Sequence, residues 1–253
     1  MRNLPNIEIS RKHINLMLMS PFSVGGEAVI CHGYDIHTLY KFFLGKQKGF
    51  SMFYNFRDLR EMQDSKLEKI KLLYEMNLED SVQPISTITC EKRLIGYEMT
   101  YDEDDISFAY PSTCKTRDDI IYYADYIKRV LDYYASKDIA YVDVAGRNIL
   151  INKKTRSAKF CDMDNIKIDE YEPEAISVDL IEYDEIRGID NQVDAYMHNL
   201  MLMRKLGLEP NNCLEDDSLF LFEFDERALP ILKGIKDPKE FNGEYAIQYV
   251  KRR

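Results

Sequence analysis

The stretch from Asp138 to Ile168, DIAYVDVAGRNILINKKTRSAKFCDMDNIKI, most narrows what this chain can become. Two short runs, Ile149-Leu150-Ile151 and Lys159-Phe160-Cys161, flank the polar segment Asn152–Ser157. That arrangement predicts a β-hairpin with a polar turn. Asp143 and Asn148 would sit on the loop entering the first strand, and Asp162 at the exit of the second. Three oxygen-bearing side chains would then converge on one spot. An Asn and an Asp can supply hard oxygen ligands to Mg²⁺, while a separate Asp can accept a hydroxyl proton.

The 253 residues can bury a sizeable core in one domain or two small lobes, and a 45% hydrophobic content argues against disorder. The apolar runs are too short to cross a bilayer and the first residues have no apolar signal core, so no membrane association is expected. Five cysteines without a C-x-x-C pair point to free thiols and a cytoplasmic location. A net charge of −10 disfavours nucleic acid as the main partner. There is no P-loop, no H-E-x-x-H and no Rossmann fingerprint, and the four histidines have no metal spacing.

Ahead of the hairpin, Ile14–Ser20 and Ala28–Gly33 read as strands joined by a turn containing Gly25 and Gly26. Leu39–Phe43 reads as a third strand carrying Lys41 among apolar neighbours. Residues from about Phe56 to Met76 have helical patterning, with Leu59, Met62, Ile70 and Leu73 inward. Glu61, Glu68 and Glu75 are spaced by seven and would share one face. A shorter helix starting on a Ser65-x-x-Glu68 capping box is the competing reading. Ile85–Thr89 and Arg93–Met99 read as strands. After an acidic run at Tyr101, Thr116-x-x-Asp119 opens a helix whose apolar face is Ile120, Ala124, Ile127, Leu131 and Tyr134. A further helix spans about Asn191–Lys205, and two more are expected at Glu226–Ile235 and Gly243–Lys251.

The order of these features resembles the protein-kinase-like family. The catalytic-loop pattern H-R-D-L-x-x-x-N is similar to Tyr141–Asn148, and D-F-G to Asp162-Met163-Asp164. The Gly-rich loop survives in part as Gly25, Gly26 and Val29, with Ala28 where a third glycine is usual. Lys41, twelve residues after Val29, stands where the strand lysine of V-A-I-K does. The resemblance implies a two-lobed α+β fold, with a β-rich N-lobe at 1–101 and a mainly helical, shortened C-lobe at 102–253. ATP and Mg²⁺ (or Mn²⁺) would bind between them.

In this reading Asp143 is the base and Lys41 holds phosphates, with Glu68 as the lysine's partner. Asn148, Asp162 and Asp164 are the metal candidates. Tyr97 takes the gatekeeper position, and the backbone of Glu98 and Thr100 meets the adenine edge. Asp194 anchors the catalytic-loop backbone; a plain exposed helix aspartate is the alternative.

The implied activity is γ-phosphoryl transfer to a hydroxyl acceptor, on a protein or a small molecule. The departures keep other readings open. Tyr141-Val142 replaces His-Arg, Asp164 replaces the D-F-G glycine, and no A-P-E motif follows. A small-molecule kinase of the aminoglycoside-phosphotransferase type and a pseudokinase scaffold are the alternatives. Asp143-Val-Ala-Gly-Arg-Asn148 is also similar to the tyrosine-kinase loop D-L-A-A-R-N. Residues 162–190 carry eleven Asp/Glu against Lys167 and Arg187, which favours a basic substrate or partner. With Val142 in place of the arginine that clamps an activation-segment phosphate, and with only Ser177, Tyr171 and Tyr183 to modify, activity is expected not to depend on phosphorylation there.

Overall fold

The computed structural model describes residues 3–45, 54–110, 112–174, 191–206, 208, 240–242, 246 and 248–249. The chain divides into two compact units, Met1–Glu103 and Asp104–Arg253. Both mix helix and strand, so the fold class is α+β.

The first unit contains β1 (Asn6–Glu8), α1 (Arg11–Leu18), β2 (Ser23–Val24), β3 (Ala28–His32), β4 (Thr38–Phe43), α2 (Asp64–Met76), β5 (Pro84–Cys90) and β6 (Arg93–Thr100). The strands form one six-stranded sheet in the order β1-β5-β6-β4-β3-β2. β1 joins β5 in parallel and the other pairs are antiparallel. Alternation along β4 sorts its side chains to two faces. Tyr40 and Phe42 enter a core with Ile14, Leu18, Val29 and Ile88. Leu39, Lys41 and Phe43 occupy the other face.

Two expectations fail here. Ile14–Ser20 is not a strand; its first part belongs to helix α1, which starts at Arg11. The Ser10 hydroxyl caps that helix by accepting the His13 N–H at 3.4 Å. Ile14 and Leu18, one turn apart, reach the core, while Leu16 is 55% exposed. A strand would have put all three on one face.

The helix expected from Phe56 breaks in two. Phe56–Asp58 is a 3-10 turn closed by a reciprocal Asn55–Asp58 cap. The chain then runs extended, with Leu59 bridged to Leu44 and the Met62 N–H donating to the Leu94 carbonyl at 2.7 Å. Leu59 and Met62 are buried as expected, but through this edge rather than through a helix. Helix α2 starts only at Asp64 after Gln63, which provides no side-chain cap, so the Ser65–Glu68 capping box is not formed.

The second unit contains β7 (Asp105–Ser107), α3 (Arg117–Ala135), β8 (Ile139–Ala140), β9 (Ile149–Asn152), β10 (Ser157–Phe160), β11 (Lys167–Ile168) and α4 (Asn191–Lys205). The Thr116–Asp119 capping box opens α3, and all five residues of its expected apolar face are buried. The hairpin forms as read, with Ile149 opposite Phe160 and Asn152 opposite Ser157. The Asn152 side-chain oxygen accepts the Lys154 and Thr155 N–H groups and so shapes the turn. β7 adds to the hairpin as a third strand. Its nearly buried Asp105 carboxylate takes Lys159 at 3.0 Å and the Asn152 amide at 3.1 Å.

Among the described residues no helix is long and apolar enough to cross a membrane. Cys31, Cys90, Cys114 and Cys161 are free thiols. The helix expected at Glu226–Ile235, most of that at Gly243–Lys251, and Ser177, Tyr183 and Arg187 lie outside the described residues.

Candidate functional site

The loop from Tyr141 to Asn148 is held from below by helix α4. The Asp194 carboxylate accepts the Tyr141 N–H at 2.7 Å and the Val142 N–H at 2.6 Å. Asp194 is buried, so the exposed-helix alternative does not hold. Two charge-assisted bonds to successive amides fix a backbone bend in which Val142 takes φ 71°. A β-branched residue is strained there, and the carboxylate keeps it in place.

Tyr141 is fully buried, its ring 4.7 Å from that of Phe160. Its hydroxyl reaches the Asn148 carbonyl at 3.2 Å and the Cys161 carbonyl. The Cys161 N–H also donates to the Asn148 carbonyl at 2.9 Å. One phenol thus ties together the ends of the two strands that carry Asn148 and Asp162.

Above this floor the polar groups meet. The Asn148 amide donates to the Asp143 carboxylate at 2.7 Å and to the Asp143 carbonyl at 3.2 Å. Arg147, more than half exposed, approaches the same carboxylate at 3.4 Å. Asp162 follows the end of β10 in a left-handed conformation, φ 61°. Burial pushes the Asp143 carboxyl above its ordinary range, Arg147 and the Asn148 hydrogen bond pull it down, and the nearby Asp162 charge pushes it up. The result is a carboxylate aligned by two donors and biased toward holding a proton.

Among the described residues no group of three or more His, Cys, Asp or Glu side chains is arranged to cage a metal ion. The available donors are fewer and suit Mg²⁺, which is commonly held by one or two protein oxygens with phosphate and water completing the shell. Asn148 spends its amide N–H on Asp143, which leaves its carbonyl oxygen to ligate. Asp162 supplies a carboxylate, and Asp164 lies buried in the 3-10 turn Met163–Asn165.

The candidates in the first unit fare unevenly. Lys41 lies on an interior strand and is buried, which removes the alternative of an edge-strand lysine with its head in water. It stands opposite Tyr97, and Gly96 lets β6 close in: a Cβ there would lie 2.1 Å from the Lys41 carbonyl oxygen. Glu68 does not pair with Lys41; it is exposed and bound to Lys71 at 2.7 Å. The reason is the phase of α2, which turns Glu68 and Glu75 outward and Lys66, Lys69, Ile70 and Leu73 inward, while Glu61 lies exposed on the extended stretch before the helix.

Val29 is placed opposite Phe42 and packs in the core, on the face away from Lys41; Ile30 is the β3 residue level with Lys41. Gly25 and Gly26 form the β2–β3 turn, closed by the Gly25 N–H on the Ala28 carbonyl at 2.9 Å. Glu98 is laddered to both Tyr40 and Ser86, and the Thr100 N–H goes to the Gln83 carbonyl at 3.3 Å. The Glu98 backbone and the Thr100 N–H are thus engaged within the sheet.

Sequence reasoning did not place Lys66 and Lys69 on the inward face of α2, and read Tyr141 and Arg147 only through the loop pattern. Arg147 had a signal, its spacing four residues after Asp143; Lys66 and Lys69 had one too, each four residues before an expected inward position, Ile70 and Leu73. A scan of family models finds no match to this chain, and no curated protein matches its sequence.

Proposed function

We propose that the protein is an ATP- and Mg²⁺-dependent phosphotransferase with a two-lobed, protein-kinase-like fold, acting in the cytoplasm on a hydroxyl acceptor, on a protein of basic character. The observation that carries this reading is the Asp143–Asn148 contact at 2.7 Å, set beside Asp162 on a backbone fixed by Asp194. Asp143 orients the acceptor hydroxyl and takes its proton. Arg147 and Asn148 hold the Asp143 carboxylate in one orientation. Asn148 and Asp162 would hold a Mg²⁺, which would supply charge neutralisation at the phosphates. Lys41 is assigned to the phosphates on the strength of the resemblance.

The test is transfer of labelled γ-phosphate from ATP to the protein itself, to mixed acidic and basic peptides and to a panel of small alcohols. Transfer that favours basic peptides and disappears in Asp143→Asn, with ATP affinity nearly intact, supports the reading. Transfer to small alcohols alone moves the protein to the small-molecule kinases. Binding of ATP with no transfer to any acceptor leaves a pseudokinase.

A further inference from the structure

Helix α4 supports the site from both of its ends. Asp194, in the first turn, holds the amides of Tyr141 and Val142. Lys205, in the last turn, reaches the chain that follows β7. Its ammonium donates to the Phe108 carbonyl at 2.5 Å and to the Tyr110 carbonyl at 3.0 Å, and lies 4.7 Å from the Phe108 ring. Between those two carbonyls stands Ala109, whose N–H donates to the Gly146 carbonyl at 3.1 Å. The Ser107 hydroxyl donates to the same carbonyl at 3.1 Å, and the Phe108 N–H to the Ile149 carbonyl at 2.7 Å. Residues 107–109 therefore grip both ends of the 3-10 turn Gly146–Asn148. A side chain on Gly146 would obstruct that grip, since its Cβ would stand 3.2 Å from the Ala109 Cα and N.

We propose that Ser107 and Lys205 are positioning residues for the candidate site, acting through the Gly146 carbonyl on Asn148 and, through Asn148, on Asp143. The turn has three residues, so fixing its first sets the direction of its last. That last residue is Asn148, whose amide meets the Asp143 carboxylate at 2.7 Å. An ammonium brings three donors and a full charge, and its bonds to carbonyls are stronger than neutral ones. Lys205 thus stiffens the segment from which Ala109 and Ser107 reach Gly146. A displacement of about 1 Å at a reacting group is enough to cost a large part of the rate, even when its cause lies far from the chemistry. The proposal rests on the phosphotransferase reading for the reaction that the positioned pair performs.

The side-chain amide of Asn148 reports the effect without turnover. In proton–nitrogen NMR spectra of the full chain, assigned by its loss in Asn148→Asp, its donated proton is expected downfield of an exposed amide. Ser107→Ala and Lys205→Met should move that signal toward the exposed position. Ser107→Thr and Lys205→Arg, which restore the donors, should bring it back. The Val142 N–H, held by Asp194 at the other end of the loop, should stay in place, whereas a general loosening of the fold would move it too. In the transfer assay Ser107→Ala and Lys205→Met should lower kcat by up to about a hundredfold with the KM for ATP unchanged. An Asn148 signal that is unmoved in both variants refutes the proposal, as does one that moves only together with Val142. A shifted Asn148 signal in a chain whose wild type transfers no phosphate sustains the positioning and refutes the phosphotransferase reading. If circular dichroism shows Lys205→Met to be unfolded, Ser107→Ala decides alone.

Discussion

The carboxylate of Asp194 holds the backbone of Val142 in a left-handed conformation through a 2.6 Å hydrogen bond, with a second bond to the Tyr141 N–H beside it. Removing this acceptor leaves two buried donors unpaired, each costing about 1–3 kcal/mol. Asp194→Ala is therefore expected to lower unfolding stability by roughly 2–6 kcal/mol. Asp194→Asn, which keeps one acceptor oxygen, should lose less. Urea denaturation of the two variants measures both. Equal stability of Asp194→Ala and wild type would show that the loop does not depend on this anchor.

Much of this arrangement was legible because its determinants are local. The hairpin follows from two apolar runs and an Asn-led turn, and α3 from a capping box and a regular apolar face. Helix α1 and the start of α2 were misread because tertiary burial decided them. Ile14 and Leu18 fit a strand or a helix equally well by spacing, and an extended edge at Leu59–Met62 has no propensity signal of its own. The face of a strand is equally hard to assign. A shift of one residue moves Val29 to the side of the sheet opposite Lys41.

The α1 assignment makes a mutational prediction. Leu18 and Ile14 are buried while Leu16 faces outward. Leu18→Ala should cost about 2–5 kcal/mol, and Leu16→Ala under about 0.5 kcal/mol. Thermal or urea unfolding distinguishes this from a strand, in which both leucines would matter alike.

His198, on α4, is buried with its Nε2 lacking a hydrogen-bond partner, and burial lowers its pKa from 6.5 to about 4. A group depressed in the folded state is neutral there while the unfolded chain takes up a proton. Stability is then full above about pH 6.5 and falls as the pH drops toward about 4. The shift corresponds to roughly 3 kcal/mol across that window. Replacing His198 with Met should flatten this part of the curve, as read from urea midpoints against pH. An unchanged slope would mean that other groups account for the acid sensitivity.

Asp143 has its carboxyl raised by burial and lowered by Arg147. A base must be ionised to act, so the acid limb of kcat/KM should lie above the ordinary aspartate range of about 4. Arg147→Leu removes the opposing charge and should move that limb to higher pH, with a smaller effect on the plateau rate. A limb that stays in place would remove Arg147 from any role in setting the Asp143 ionisation.

The central claim is that this chain binds ATP with a divalent metal through Asn148 and Asp162. Thermal denaturation with ATP and Mg²⁺ tests it directly. Saturation at 100 times the dissociation constant should stabilise the wild type by about 2.7 kcal/mol. The shift should depend on the metal, shrink in Asp162→Asn and persist in Asp143→Asn. The absence of any shift with ATP and either Mg²⁺ or Mn²⁺ would contradict the account.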